Sequence, residues 1–164
     1  MTLKSKVLAF LCGYLVVMAF FSFLLLVNYN SGTGNGKCME PNIHDGDIIY
    51  FTPWAFCSRG DVVIFVSLDE NGYQNMISKR IIGVEGDRIQ FDGQNYFVNG
   101  KKLEPNYTIS NDKVVSEKIG EWIVGDEMLF LAGDNYDDSY DSRDFGPVNR
   151  DNIIGRVYWV STGN

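Results

Sequence analysis

The 164-residue chain is predicted to be mainly β, an antiparallel domain behind one N-terminal transmembrane helix. Three observations carry this. Residues 7–27 form an uncharged apolar run. The rest divides, at Gly, Asn and Asp, into short β-branched and aromatic stretches. No further amphipathic helical pattern of convincing length follows the first run.

At 1.5 Å rise per residue, the 21 residues from Val7 to Val27 cover about 31 Å, the thickness of a bilayer's hydrocarbon core. A secretory signal peptide is the rival reading, but its apolar stretch is shorter, about 7 to 15 residues. The flank Asn28-Tyr29-Asn30-Ser31-Gly32 also lacks an A-x-A-like cleavage site, so a retained anchor is expected. Lys4 and Lys6 precede the span and no basic residue follows it until Lys37. By the positive-inside rule residues 1–6 are a cytoplasmic tail, and the chain is single-pass with its domain outside the cytoplasmic membrane. Residues 28–36 read as a flexible polar tether, and residues 37–164 as one extracytoplasmic domain.

Strands are expected at Ile48–Phe51 after the turn His44-Asp45-Gly46-Asp47, at Val62–Val66 after Arg59-Gly60-Asp61, and at Met76–Val84. Others are Arg88–Phe91, a hairpin-like Asn95–Val98 closing on Asn99-Gly100, Met128–Ala132, and Ile153–Val160. Residues 101–125 are polar and weakly patterned, which suggests a surface insertion packed through Trp122 and Ile123.

Beyond the anchor, 12 basic residues face 21 acidic ones, about −9, so nucleic acid is not an expected partner. Membrane lipid is the expected neighbour. Of three cysteines, Cys12 lies in the span and Cys38 and Cys57 outside it. Neither CxxC nor a Cys/His cluster is present, so neither metal nor cofactor is expected. Counts alone leave a Cys38–Cys57 bridge open.

Lys37-Cys38-Met39-Glu40-Pro41 puts a candidate nucleophile on a stiff loop about ten residues beyond the span. Met39 reads as an apolar plug, and Pro41 holds Glu40 extended. Lys79 sits in an apolar strand beside Ile77, Ile81 and Ile82. Burial disfavours the ammonium, so a lysine held there becomes a usable general base; the alternative is a lysine that points to solvent beside Arg80. The stretch Gly133–Pro147 is dense in hydroxyls and carboxylates around one arginine, yet it fails the spacing of a calcium loop. His44, the only histidine, lies in an evident turn.

Together these stretches resemble the type I signal peptidases, membrane-bound Ser/Lys endopeptidases that remove signal peptides from exported proteins. The family's nucleophile motif S-M-x-P stands here as Cys38-Met39-Glu40-Pro41, and its G-D-[IV]-[IV]-x-[FY] as Gly60–Phe65. K-R-x-x-G-x-x-G-D stands as Lys79–Asp87, and the C-terminal G-D-N-x-x-x-S-x-D-S-R-x-[FWY]-G as Gly133–Gly146. The resemblance implies a β-rich signal-peptidase fold and cleavage after small, A-x-A-like residues. Cys38 would be the nucleophile and Lys79 the base, with Ser139 orienting its amine. Asp141 and Arg143 would brace the loop, and Asp134 and Arg80 would support it. It also implies substrate contacts at Gly36, Met39, Met76, Ile77 and Ser78, with signal peptides of exported preproteins as partners.

Cys38 replaces the family's serine. A thiol gives up its proton more readily than a hydroxyl, but sulfur is larger and leaves more readily from the tetrahedral intermediate. A natural thiol variant, an introduced serine-to-cysteine exchange, and a noncatalytic assembly factor for exported or pilus subunits each account for the pattern. A sortase-like enzyme would need His44 in its site.

Overall fold

A computed structural model describes residues 3–27, 30–53, 56–68, 72, 74–110 and 118–162. The chain forms two compact units, residues 1–30 and 31–164.

In the first unit, α1 (Leu3–Val27) is one uninterrupted helix. Over Leu3–Phe23 it is long and apolar enough to cross a membrane, and none of that span is buried. A helix apolar on every side has no face suited to water, which a bilayer explains and a polar solvent does not.

The second unit is built from antiparallel ladders. Its strands are β1 (Asn30–Thr33), β2 (Ile48–Thr52), β3 (Val62–Leu68), β4 (Gln74–Val84), β5 (Arg88–Phe91) and β6 (Tyr96–Val98), then β7 (Lys101–Lys102), β8 (Gly120–Ile123), β9 (Met128–Ala132), β10 (Val148–Asn149) and β11 (Ile153–Ser161). Seven make one sheet in the order β1-β2-β11-β3-β4-β9-β10, and four make a second in the order β7-β6-β5-β8. Two short helices lie in this unit among the described residues, a 3-10 turn at Arg150–Asn152 and α2 (Ser142–Phe145), which is closed by a capping box in which Asp141 and Asp144 satisfy each other's backbone N–H groups.

The long strand β4 organises the larger sheet. It pairs with β3 from Val62↔Arg80 to Leu68↔Gln74. On its other edge it pairs with β9 from Arg80↔Ala132 to Val84↔Leu129, with an irregularity between Ile81 and Gly83. Alternation sends Ile81 into the cluster of Val63, Phe65, Leu129 and Leu131, and Ile82 to the opposite face with Ile89, Phe91 and Phe130. Gly83 is required here, because a Cβ would overlap the Ile89 side chain that docks the smaller sheet.

Two expectations change. Residues 30–33, read as part of the tether, form the edge strand β1. Gly34 is buried and exchanges backbone hydrogen bonds with Asp47 and Gly46. The Gly and Asn content signalled tight turns here, not slack. In the polar stretch 101–125, Trp122 packs on Phe130 at 5.0 Å between ring centroids, but Ile123 is exposed, since adjacent strand residues face opposite ways. Residues 111–117 lie outside the described residues.

Candidate active site

Strand alternation puts Lys79 on the same face of β4 as Ile77 and Ile81, and its side chain is buried, 2 % exposed. Its Nζ donates to Ser139 Oγ at 3.0 Å. Ser139 Oγ in turn donates to Asp141 Oδ2 at 2.6 Å. Asp141 also accepts from the Gly133 N–H at 3.0 Å, and from Arg143 through Nε at 2.9 Å and Nη2 at 2.8 Å. Burial alone would push the Asp141 carboxyl up. The Arg143 hydrogen bonds and charge, with those from Ser139 and Gly133, outweigh it and hold the carboxyl below its ordinary value. The carboxylate is therefore ionised at neutral pH, and its contribution to stability is lost only as pH falls through that lowered value.

An ionised carboxylate can only accept, so the single hydroxyl proton of Ser139 is committed to Asp141. Ser139 must then accept from Lys79. One Lys79 N–H is thereby directed at Ser139.

The Cys38 loop reaches the same place. Asn135 N–H donates to the Cys38 carbonyl at 3.0 Å, and Asn135 Nδ2 donates to the Lys37 carbonyl at 3.2 Å. Gly133 lies between the two groups, for a Cβ there would overlap both the Cys38 carbonyl oxygen and Ser139 Oγ. Gly133→Ala is therefore expected to destabilise the domain by about 1–3 kcal/mol, as overpacking does, read in a thermal melt.

Asp134 joins the loop to the strand. Its carboxylate accepts Arg80 Nε at 2.7 Å and Nη2 at 2.6 Å, and Asn42 Nδ2 at 2.9 Å. Arg80 Nη1 donates to the Gly60 carbonyl at 2.7 Å. A forked guanidinium–carboxylate pair of this kind fixes direction as well as distance.

Beside Cys38 is a cleft of about 140 Å3 whose wall includes Met76, Ile77 and Ser78. The sequence reading missed Thr33, Ile49, Phe51 and Ile64, which also line it. Two expected substrate contacts are not on this wall. Met39 is 2 % exposed and packs with Ile43, Ile49 and Ile64, so it is the plug under the loop. Gly36 is exposed, with φ +85°, and its N–H is taken by Asp45 Oδ1 at 2.9 Å.

His44 lies in its turn, half exposed, 3.7 Å from Asp47. Cys38 and Cys57 are both free thiols, which removes the bridge that the residue count left open. Burial, and then the nearby Asp61, push the Cys57 thiol up. Among the described residues no cluster of metal-ligating side chains is found.

A family model described as signal peptidase, peptidase S26, matches residues 4–162. The signal peptidase I of Bacillus caldolyticus is 28% identical over 164 residues, which cover 89% of this chain and 88% of that protein. Signal peptidase IB of Staphylococcus aureus is 29% identical over 147 residues, 76% of this chain and 73% of that protein. A crystal structure of a signal peptidase I from Enterococcus faecalis is alike in fold, with a TM-score of 0.51 at 24% identity, over 63% of this chain and 98% of that one.

Proposed function

The chain belongs to the signal peptidase S26 family, and on that premise we propose that it is a membrane-anchored endopeptidase that cleaves signal peptides from exported proteins, with Cys38 as nucleophile and Lys79 as base. Family membership supports the coarse activity, a peptidase hydrolase acting on signal peptides. The observation that carries the finer reading is the meeting of a buried lysine amine, its Ser139 partner and the Cys38 loop around Gly133.

In the first half-reaction Lys79 takes the Cys38 thiol proton as sulfur bonds to the scissile carbonyl carbon. The oxyanion receives the Cys38 backbone N–H. Lys79 then gives the proton to the leaving nitrogen, the C–N bond breaks, and a thioester remains. Water attacks the thioester with Lys79 again as base, the C–S bond breaks, and the proton returns to sulfur. Throughout, Ser139 can steer the amine without competing for its proton, because its own proton is held by Asp141.

The substrate lies extended in the cleft beside Met76–Ser78. The cleft is shallow and partly apolar, lined by Ile49, Phe51, Ile64 and Ile77, which suits small apolar side chains and supports A-x-A. The apolar helix α1 supports attachment to the cytoplasmic membrane, with residues 1–6 inside and the domain outside.

The test is cleavage of a peptide carrying A-x-A by the purified full-length chain in detergent. Cleavage after the second alanine is expected, with loss of activity on alkylation in step with modification of Cys38. The raised Cys57 thiol should react slowly, since the thiolate is the reactive form. Full activity after complete modification of Cys38 would overturn the assignment.

A further inference from the structure

We propose that Lys118, outside all four motifs, is a positioning residue that fixes Ser139 and through it the Lys79 amine; this rests on the reading of Lys79 as base. Lys118 Nζ donates to the Ser139 backbone carbonyl at 2.8 Å and to Asp144 Oδ2 at 2.7 Å. The same Asp144 oxygen accepts the Asp141 backbone N–H at 2.9 Å. One ammonium thus ties together the backbone on both sides of Tyr140, at the two residues whose side chains form the relay to Lys79.

Lys118 is delivered to this point by the smaller sheet. It stands two residues before β8, and β8 is held on β5 by the Arg88↔Ile123 to Phe91↔Gly120 register. Trp122 against Phe130 anchors that strand to the core. Gly120 lets the indole lie flat along the backbone, because a Cβ there would overlap the ring. Ile119 turns outward, and the neighbouring Lys118 turns toward the loop.

At 35 % side-chain exposure, the Lys118–Asp144 pair adds little to stability, as exposed ion pairs generally do. Its effect is geometric. Ser139 Oγ can accept from Lys79 only while its Cβ is held at one place, and a carbonyl anchored to a fixed cation holds it there. Misplacement of a catalytic group by about 1 Å can cost up to a hundredfold in rate.

The test is a double-mutant cycle on the full-length chain, with kcat and KM measured separately and a thermal melt for each variant. Lys118→Gln is expected to lower kcat about tenfold with KM within about twofold, and Lys118→Arg to restore most of the rate. Lys118→Met, which keeps the stem and loses the donors, should match Lys118→Gln and serves if that variant folds poorly. In a Ser139→Ala background, Lys118→Gln should cost less than about twofold, since the group it positions is gone. Equal losses in both backgrounds, a change confined to KM, or an unchanged kcat would overturn the proposal while leaving Lys79 as base. Full activity of Ser139→Ala, or of Lys79→Met, would overturn it together with that reading.

Discussion

Lys79→Met is expected to lower kcat/KM for the A-x-A peptide by about a thousandfold, in the middle of the range for loss of a general acid–base group, while the melting temperature holds or rises. The two halves of this result have one cause. Met keeps the stem that packs beside Ile77 and Ile81 and removes only the amine. Ser139 then loses a donor but keeps its own hydrogen bond to Asp141, so no buried carboxylate is left unpaired. Deleting a buried polar group without orphaning its partner costs little, and replacing it by a well-packed apolar one is often stabilising. A structural lysine would behave in the opposite way, with a lower melting temperature and preserved rate. Cleavage kinetics and calorimetry on the same preparation distinguish the two, and a Lys79→Met enzyme with unchanged kcat/KM would end the dyad reading.

Cys38→Ser is expected to raise kcat/KM, by about tenfold to a hundredfold, and Cys38→Ala to abolish cleavage. The family motif carries serine at this place, and the reaction with sulfur differs in the size of the attacking atom and in how readily it leaves. Met39 beneath the loop is packed against Ile43, Ile49 and Ile64, so the loop stays in place when the side chain at position 38 is exchanged. An oxygen nucleophile would leave less readily from the tetrahedral intermediate. Ser at this position would depend more on Lys79, because a hydroxyl is the weaker acid. The double variant Cys38→Ser, Lys79→Met should therefore be inactive. A Cys38→Ser chain slower than the parent would mean the pocket is shaped for sulfur, and residual cleavage by Cys38→Ala at the parental rate would remove Cys38 from the reaction.

The amino-acid sequence by itself determined the apolar helix, most strands of the second unit and the identity of the polar groups gathered near Cys38. Those features are local: an uncharged run of bilayer length, alternation at period two, and motifs whose residues lie close together along the chain. Lys79, Ser139, Asp141 and Arg143 stood out through the resemblance of their stretches to the family's motifs. What only the tertiary structure decided depends on residues far apart in sequence. It turned Gly and Asn near residue 30 into an edge strand instead of a tether. It put Gly36 away from the cleft wall. It also brought Lys118 from the polar insertion onto the Ser139 loop. None of these carries a periodic or spacing signal, because each is settled by which strand edge is free to pair and which side chain fills the remaining space once β4, β5 and β9 have packed.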